Sequence, residues 1–493
     1  MPAPTVSGMG GQAVRWTAEQ VSALAPDAAS RKAGGKLATP GPWSLAGAGD
    51  GAVWGLCKGS GSKPYQTVVD MEGGQGPGYK CSCPSRKFPC KHALALLLLW
   101  AQDETAVPDG GTPPDWAGEW LEGRRQRAQK KAQAKAAAPA AGAGTGQDAG
   151  AEGTAEGAGG PGGGGARAEA ARRRAEQRAA RVTAGTEELE QRLADLLRGG
   201  LAGAEQAGYA PWEEMAARMV DAQAPGLAGR IRELGAVVGS GEGWPGRLLA
   251  ECALLHLLAR GWAGAGALPA PLAETVRSRV GLTVEAAELL DDETALSRDE
   301  WLVLAQHDTD EGRLTVRRIW LYGRASGRHA LLLSYGVSGR APELALPVGA
   351  TLDAELAFYR GGSPLRAALG ERHGPPLPGF VPPGEDIPDA LAAYAAALRG
   401  DPWLEGWPCV LREVVPVPPE SGAGPSGPLG EPVWQLAAAS EEHAVPVAPG
   451  TAAGAMWRLL AMSADGPLTV FGECGHRGFV PHAAWSDGKP VPL

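Results

Sequence analysis

The sequence predicts an α+β protein with several domains: a small cysteine-rich module of strands and one helix, then a helical bundle, then a mostly antiparallel β-rich domain. Three observations predict this order. Three cysteines and a histidine fall within residues 81–92, apolar residues recur at helical spacing from residue 182 onward, and short apolar runs separated by turn residues begin after Ser297. The predicted boundaries divide the chain into residues 1–123, a linker at 124–181, the bundle at 182–295 and the β-rich domain at 296–493.

Two short helices are expected near the beginning of the chain. Residues 16–24 have the pattern of a helix capped by Thr17, and residues 27–32 begin a second helix. Both helices are expected to pack beside the cysteine-rich module. A β-hairpin follows, because residues 52–58 and 65–70 contain strand-forming side chains and flank a short Gly/Ser segment.

The cysteine-rich run has the donor set of a closed zinc site. Three thiolates and one imidazole fill the four tetrahedral positions that structural Zn²⁺ prefers, and no position remains for a catalytic water. The predicted ligands are Cys81, Cys83, Cys90 and His92. The first pair is spaced to share one face of a strand, and the second pair begins a helix over residues 93–100. The alternative is a set of cysteines that bind no metal.

These Cys-x-Cys and Cys-x-His pairs resemble the motif of the SWIM zinc finger family, and the resemblance covers about residues 54–101. It implies a small zinc-stabilised module of two strands and a helix. Members of this family occur in bacterial, plant and eukaryotic proteins and are proposed to bind DNA or other proteins. The resemblance implies no chemical reaction.

Four basic residues near the predicted ligands are candidates for contact with nucleic acid or a partner: Lys80, Arg86, Lys87 and Lys91. They could instead stabilise the site itself, because Zn²⁺ with three thiolates carries a net negative charge. The helix after His92 has alanine or leucine on every side as far as Leu99, so it offers no polar face to a DNA groove. Sequence-specific readout is therefore disfavoured, and the module is better suited to docking on a protein.

Residues 124–181 are predicted to be a linker. They contain two basic, helix-prone stretches, residues 124–135 and 167–181, on either side of a segment that is almost entirely Ala and Gly. The middle segment, residues 136–165, is predicted to be disordered. The basic stretches could bind phosphates without sequence preference, but a solvated, self-repelling linker is the favoured interpretation.

The two larger domains are predicted from their periodicity and turn residues. The bundle should contain an amphipathic helix around Leu189 and four later helices that begin near prolines, namely Pro211, Pro225, Pro245 and Pro269. The β-rich domain should contain one helix at 388–398 and a Pro/Gly loop at 418–432. Its predicted strands are 301–306, 314–321, 329–335, 409–417, 433–439 and 468–471.

Composition limits the function. A formal net charge of −9 over 493 residues argues against a general nucleic-acid coating protein. The longest apolar stretch, residues 93–101, is far shorter than the ~20 residues needed to cross a bilayer, so no membrane association is expected. Scattered single cysteines suit a reducing cytoplasm, and the abundance of Gly and Ala indicates a high-GC bacterium.

Other chemical signals are weak. Cys474 and His476, with His482 and Cys409, are a disfavoured candidate for a second metal site, and His256 is expected to be a core residue. The sequence lacks a phosphate-binding loop, a Gly-x-Ser-x-Gly motif and a His-Glu-x-x-His motif, so we expect no enzyme. The resulting hypothesis is a cytoplasmic scaffold that docks partner proteins through a structural zinc finger. The alternative is a DNA-associated protein, and the sequence predicts no oligomeric state.

Overall fold

The computed structural model describes residues 15–25, 28–59, 63–71, 77–85, 89–137, 163–204, 208–311, 314–337, 342, 344–419, 433–440 and 442–493. Within these ranges an N-terminal module, a helical bundle and a β-rich region follow one another, as the sequence predicts. Residues 138–162 of the predicted disordered segment lie outside the described residues, whereas its two ends, 136–137 and 163–165, are helical. Most of the predicted Pro/Gly loop also lies outside the described residues.

The N-terminal module is built on a four-stranded antiparallel sheet. Its elements are α1 (Ala18–Ala23), α2 (Ala28–Leu37), β1 (Trp43–Gly49), β2 (Ala52–Cys57), β3 (Tyr65–Asp70), β4 (Gly78–Cys81), α3 (Lys91–Gln102) and α4 (Asp115–Ala137). The strands lie in the order β1-β2-β3-β4, so β4 is an edge strand that pairs only with β3. The predicted hairpin is confirmed as β2 paired with β3, with Cys57 opposite Tyr65.

Helix α3 forms the centre of the module's core. Every residue from His92 to Trp100 is buried, which is what an all-apolar helix requires. Helices α1 and α2 contact α3, and the sheet packs against it as well. Gly34 of α2 approaches it so closely that a Cβ atom on Gly34 would lie 3.0 Å from the Cβ atom of Leu94. The prediction that the first two helices pack beside the module is therefore confirmed.

Helix α4 packs in a second apolar cluster against side chains of β2 and β3. The members of this cluster are Ala52, Trp54, Val68, Trp116, Ala117, Trp120 and Leu121. Two arginines reinforce the contact: Arg124 donates a 2.7 Å hydrogen bond to Asp70, and Arg125 donates one of 2.9 Å to the Asp50 carbonyl oxygen. The first half of α4 is therefore attached to the module, and the helix continues through the predicted start of the linker at residue 124.

The helical region consists of α5 (Gly163–Gly199), α6 (Ala210–Asp221), α7 (Pro225–Val238), α8 (Trp244–Ala263), α9 (Ala270–Val280) and α10 (Ala286–Asp291). Each of α6, α7, α8 and α9 has proline in its first two positions, where the missing N–H costs no helical hydrogen bond. Their shared core includes Leu189, Trp212, Ile231 and Leu255. The amphipathic pattern around Leu189 thus predicts the buried face of α5 correctly.

The β-rich region contains two antiparallel six-stranded sheets. The first has the order β10-β8-β5-β6-β7, with β9 also paired to β8, and consists of β5 (Leu296–Glu311), β6 (Leu314–Gly323), β7 (His329–Val337), β8 (Ala350–Phe358), β9 (Ala367–Arg372) and β10 (Leu377–Pro378). The second has the order β13-β12-β11-β14-β15-β16 and consists of β11 (Gly406–Val417), β12 (Gln435–Ala438), β13 (Ala444–Pro446), β14 (Leu468–Gly475), β15 (Gly478–Ser486) and β16 (Lys489–Pro492). Two helices accompany the sheets, α11 (Ile387–Gly400) and α12 (Ala453–Met462).

The two sheets share an apolar core. Leu302, Leu304 and Trp320 of the first sheet pack with Val410 and Phe471 of the second. This contact brings β5 and β15 together. Residues that are far apart in sequence are therefore neighbours between the sheets.

The bundle is joined to the β-rich region around Trp403. The indole of Trp403 is 4% exposed and belongs to the bundle core, and its Nε1 donates a 2.9 Å hydrogen bond to the Leu254 carbonyl oxygen. The Arg279 guanidinium forms an ion pair of 2.5 Å with Asp401. Among the helices of the described ranges, none has both the length and the apolar character needed to cross a bilayer.

Candidate metal centre

Three local structures bring the predicted ligands together. Cys81 is the last residue of the edge strand β4, and Cys83 lies in the turn that follows it. Cys90 is the N-cap residue of α3, with extended backbone, and His92 is in the first turn of that helix. The strand, the turn and the helix start thus converge as the spacing of the four residues predicts.

The geometry fits a tetrahedral metal ion. One ligand atom from each of the four residues lies within 4.8 Å of the other three. The Cys81 Sγ atom is 3.7 Å from the His92 Nδ1 atom, close to the ~3.6 Å that separates sulfur and nitrogen ligands on tetrahedral zinc. The four side chains are therefore positioned to bind a metal ion, and three sulfurs with one imidazole are consistent with Zn²⁺.

Hydrogen bonding and burial within the cluster shift the pKa values of its thiols in opposite directions. The thiol of Cys90 hydrogen-bonds to Cys81 and lowers the pKa of Cys81 to about 3, although burial opposes the shift. The same hydrogen bond, together with burial, raises the pKa of Cys90. Burial is the main reason that the pKa of Cys83 is raised. Zinc binds thiolates, so the raised pKa values of Cys83 and Cys90 mean that zinc binding releases protons.

Two neighbouring side chains support the ligands. The Thr67 hydroxyl is fully buried and lies 3.2 Å from Cys81 Sγ, within hydrogen-bonding distance of the sulfur. The Tyr65 ring contacts the His92 ring, with 4.8 Å between the ring centroids. Both residues come from β3, so this strand restrains two of the four ligands.

The basic residues near the ligands are only partly described. Lys80 and Lys91 are exposed, and each adjoins a ligand in sequence. Arg86 and Lys87 lie outside the described residues. Contact of these four side chains with nucleic acid or a partner stays a prediction.

Two arginines of the basic stretch of α5 form ion pairs within their own helix. Arg172 pairs with Glu169 and Glu176, at 3.5 and 3.4 Å, and Arg173 pairs with Glu169 at 3.1 Å. Exposed pairs at this spacing stabilise a helix weakly. These pairs also offset positive charge on the arginines that would otherwise attract a phosphate.

The disfavoured second metal set is not a metal-capable cluster among the described residues. Cys409 and Cys474 are buried on the neighbouring strands β11 and β14, where their sulfurs hydrogen-bond to each other. The His482 imidazole instead lies 2.9 Å from Glu473 and stacks on His307. No sequence pattern links Glu473 to His307, because only the packing of the two sheets brings these residues together.

Two parts of the chain match known protein families. Residues 65–101 match the SWIM zinc finger, and residues 177–280 match the SWIM-associated four-helix bundle domain. The first match contains all four ligands. The second runs from within α5 to the end of α9, where the sequence predicts a helical bundle but shows no family resemblance. No curated protein and no solved structure matches the chain. The chain therefore contains a SWIM zinc finger and the helical bundle that is associated with such fingers.

Proposed function

We propose that this chain is an interaction protein whose zinc finger is a structural, non-catalytic module for docking partner proteins. The observation that carries the proposal is the burial of α3 from His92 to Trp100. In zinc fingers that read DNA, the helix presents polar side chains to the major groove. Here the corresponding helix is enclosed, so only the outer surface of the module is available to a partner.

The donor set supports a structural rather than a catalytic metal. All four tetrahedral positions are supplied by protein side chains, whereas catalytic zinc usually keeps one position for water or substrate. Zinc would therefore act through folding, since it holds β4 and the start of α3 in one arrangement. A rigid surface lowers the entropic cost of binding a partner.

A reducing compartment suits this proposal. None of the seven cysteines forms a disulfide, and this includes the buried pair Cys409 and Cys474. Intracellular proteins rarely carry disulfides, because the cytosol keeps thiols reduced. We therefore propose that the protein works in the cytoplasm.

The second candidate function is contact with the nucleic-acid backbone. It rests on the exposure of Lys80 and Lys91 beside the metal centre. Lysines that neutralise phosphates bind any sequence and lose affinity steeply as salt rises. The ion pairs along α5 and the overall negative charge argue for protein docking instead.

Affinity purification of the full chain from its native cell tests the proposal. Wild type, the double variant Lys80→Gln/Lys91→Gln and the finger variant Cys83→Ser should each be purified with and without nuclease. We expect specific partner proteins that survive nuclease, remain with the lysine variant and are lost with the finger variant. Partners that disappear on nuclease treatment would contradict the docking proposal.

Binding to a short DNA duplex provides the complementary measurement. If the finger docks proteins, fluorescence anisotropy should show the same weak affinity for wild type and the lysine double variant. Tight binding that falls steeply with salt, and falls less steeply in the double variant, would establish the nucleic-acid function instead.

A further inference from the structure

A second group of metal-ligating side chains lies between the two β-sheets. His307 belongs to β5 of the first sheet, and Glu473 and His482 belong to β14 and β15 of the second. One ligand atom from each of the three residues lies within 4.8 Å of the other two. None of the three belongs to the SWIM finger or to the matched bundle domain.

Hydrogen bonding within this group leaves one imidazole nitrogen without a partner among the described residues. The His482 Nε2 atom is 2.9 Å from Glu473 Oε1, so the carboxylate and one imidazole are already in contact. The His307 ring stacks on His482 with 4.5 Å between centroids, and its Nδ1 atom is buried with no hydrogen-bond partner among the described residues. Buried polar atoms normally have a partner. The unpaired Nδ1 atom of His307 therefore indicates that the three side chains bind a further ligand, such as a metal ion.

We propose that His307, Glu473 and His482 form a second Zn²⁺ site that links the two β-sheets. Two imidazoles and one carboxylate are a common donor set for zinc. Imidazole nitrogen disfavours Ca²⁺ and Mg²⁺, which prefer oxygen ligands. Three protein ligands leave one tetrahedral position for water, and the first-sheet ligand would be joined to the two second-sheet ligands through the ion.

The surroundings predict a weaker site than the finger. The Arg318 guanidinium lies 4.0 Å from Glu473 Oε2 and repels a nearby cation. The Trp320 indole donates a 3.2 Å hydrogen bond to Glu473 Oε1, which orients the carboxylate but competes for its lone pairs. A chelator should therefore remove this zinc before it removes the ion held by three thiolates.

Metal binding also requires a small rearrangement. The two imidazole rings are nearly parallel, with 14° between their planes. Ring nitrogen lone pairs lie in the ring plane, so the rings must turn relative to each other before both point at one ion. This rotation is accessible because the second side-chain torsion of histidine has a broad energy minimum.

Metal analysis of the full chain tests the proposal. With Zn²⁺ as the probe, wild type at saturation should hold about two equivalents per chain, whereas His307→Gln and Glu473→Gln should each hold about one. The substitution Glu473→Gln keeps the volume of the side chain. If this variant loses the metal but keeps the wild-type circular dichroism spectrum, misfolding does not explain the loss. His373→Gln is the matched control, because His373 forms a 3.0 Å pair with Glu355 but belongs to no three-ligand group among the described residues.

Substitution with Co²⁺ assigns each equivalent to its site. The finger should give thiolate-to-cobalt charge-transfer absorption. The second equivalent should bind without increasing this absorption, and it should shift the imidazole ¹⁵N resonances of two of the seven histidines other than His92. A single equivalent in wild type, or a second equivalent that persists in both the His307→Gln and Glu473→Gln variants, would overturn the proposal.

Discussion

Cys57 is a buried cysteine near the metal centre that is not one of the predicted ligands. It is fully buried on β2, and burial, then the charge of Cys81, raises its pKa. Its thiol nevertheless contacts the Lys58 carbonyl oxygen, at 3.9 Å, and it belongs to no metal-capable group among the described residues. The sequence separates Cys57 from the ligands correctly, because it stands outside the Cys-x-Cys and Cys-x-His pairs.

The variants Cys83→Ser and Cys90→Ser should release the finger metal and unfold the module, because metal-binding energy is part of its folding energy. The isosteric control Cys57→Ser should keep the metal, although it places a hydroxyl in the core. Elemental analysis combined with hydrogen exchange of β3 and α3 measures both effects. Full zinc content and native protection in either ligand variant would show that the ligand assignment is wrong.

Asp299 provides a residue-level prediction about pH. Burial opposes its ionisation, but backbone N–H groups of Ala325, Ser326 and Glu300 donate to the carboxylate and keep its pKa below the usual value. A lowered carboxyl pKa stabilises the fold above pH ~4, and this stability is lost as the pH falls through the folded-state value. Asp299→Asn should therefore cost about 1–3 kcal/mol at pH 7.

Denaturant unfolding of wild type and Asp299→Asn at pH 7 and near pH 3 measures this dependence. The stability difference should shrink at the lower pH, where wild-type Asp299 is itself becoming protonated. A difference of the same size at both pH values would mean that the charge on the carboxylate does not contribute.

His256 is a residue for which the sequence interpretation is wrong. It was expected in the core, since leucines surround it in sequence, but its side chain is 60% exposed and pairs with Glu190 at 2.7 Å. Cys252 and Leu255 occupy the buried face of the same helix. A helix this rich in leucine has apolar residues on several faces, so local hydrophobicity does not identify the one that packs inward.

At the scale of helices and strands, the elements with clear start or turn signals were predicted best. Prolines indicated the starts of four bundle helices, and the Gly/Ser segment indicated the hairpin of β2 and β3. Helix α12 was missed because no side chain caps its N-terminus. Strand β8 was missed because Ala, Leu and Glu are not strand-forming residues, and its pairing with β5, β9 and β10 overrides that preference.

Helix α4 is predicted to stabilise the sheet of the N-terminal module. Leu121 is 3% exposed against the sheet, so Leu121→Ala should remove a packing contact worth about 2–5 kcal/mol. Faster hydrogen exchange in peptides of β2 and β3 would report the loss. The control Leu391→Ala changes a leucine that is 45% exposed and should leave this exchange unaltered. Unchanged exchange in Leu121→Ala would show that α4 does not stabilise the sheet.

At the scale of the whole molecule, contacts between distant segments determine what the sequence could not predict. The three regions and their order follow from periodicity, but the junction at Trp403 and the grouping of His307 with Glu473 and His482 depend on how folded surfaces meet. No local pattern encodes such contacts. For the same reason, the finger ligands, which lie within one short run, were the most predictable part of the chain.

Trp403 should couple the stability of the bundle to that of the β-rich region. Its replacement by alanine removes an indole that is 4% exposed, at a cost of about 3–5 kcal/mol, and leaves a cavity between the two regions. Calorimetry should show a lower or divided unfolding transition for Trp403→Ala. The control Trp457→Ala removes an indole that is 58% exposed and should leave the transition almost unchanged. If Trp403→Ala and Trp457→Ala changed the unfolding transition equally, Trp403 would not couple the two regions.

Because β4 lies at the edge of its sheet, zinc binding should protect the protein from aggregation. This strand has only four residues, pairs with β3 alone and ends at Cys81. Without the ion, β4 is held by its four residue pairs with β3 and by the packing of Tyr79 on the core of the module. If these contacts open, the N–H and C=O groups of β3 become a template for strands of other copies. Chains starved of metal should therefore aggregate before they lose most of their secondary structure.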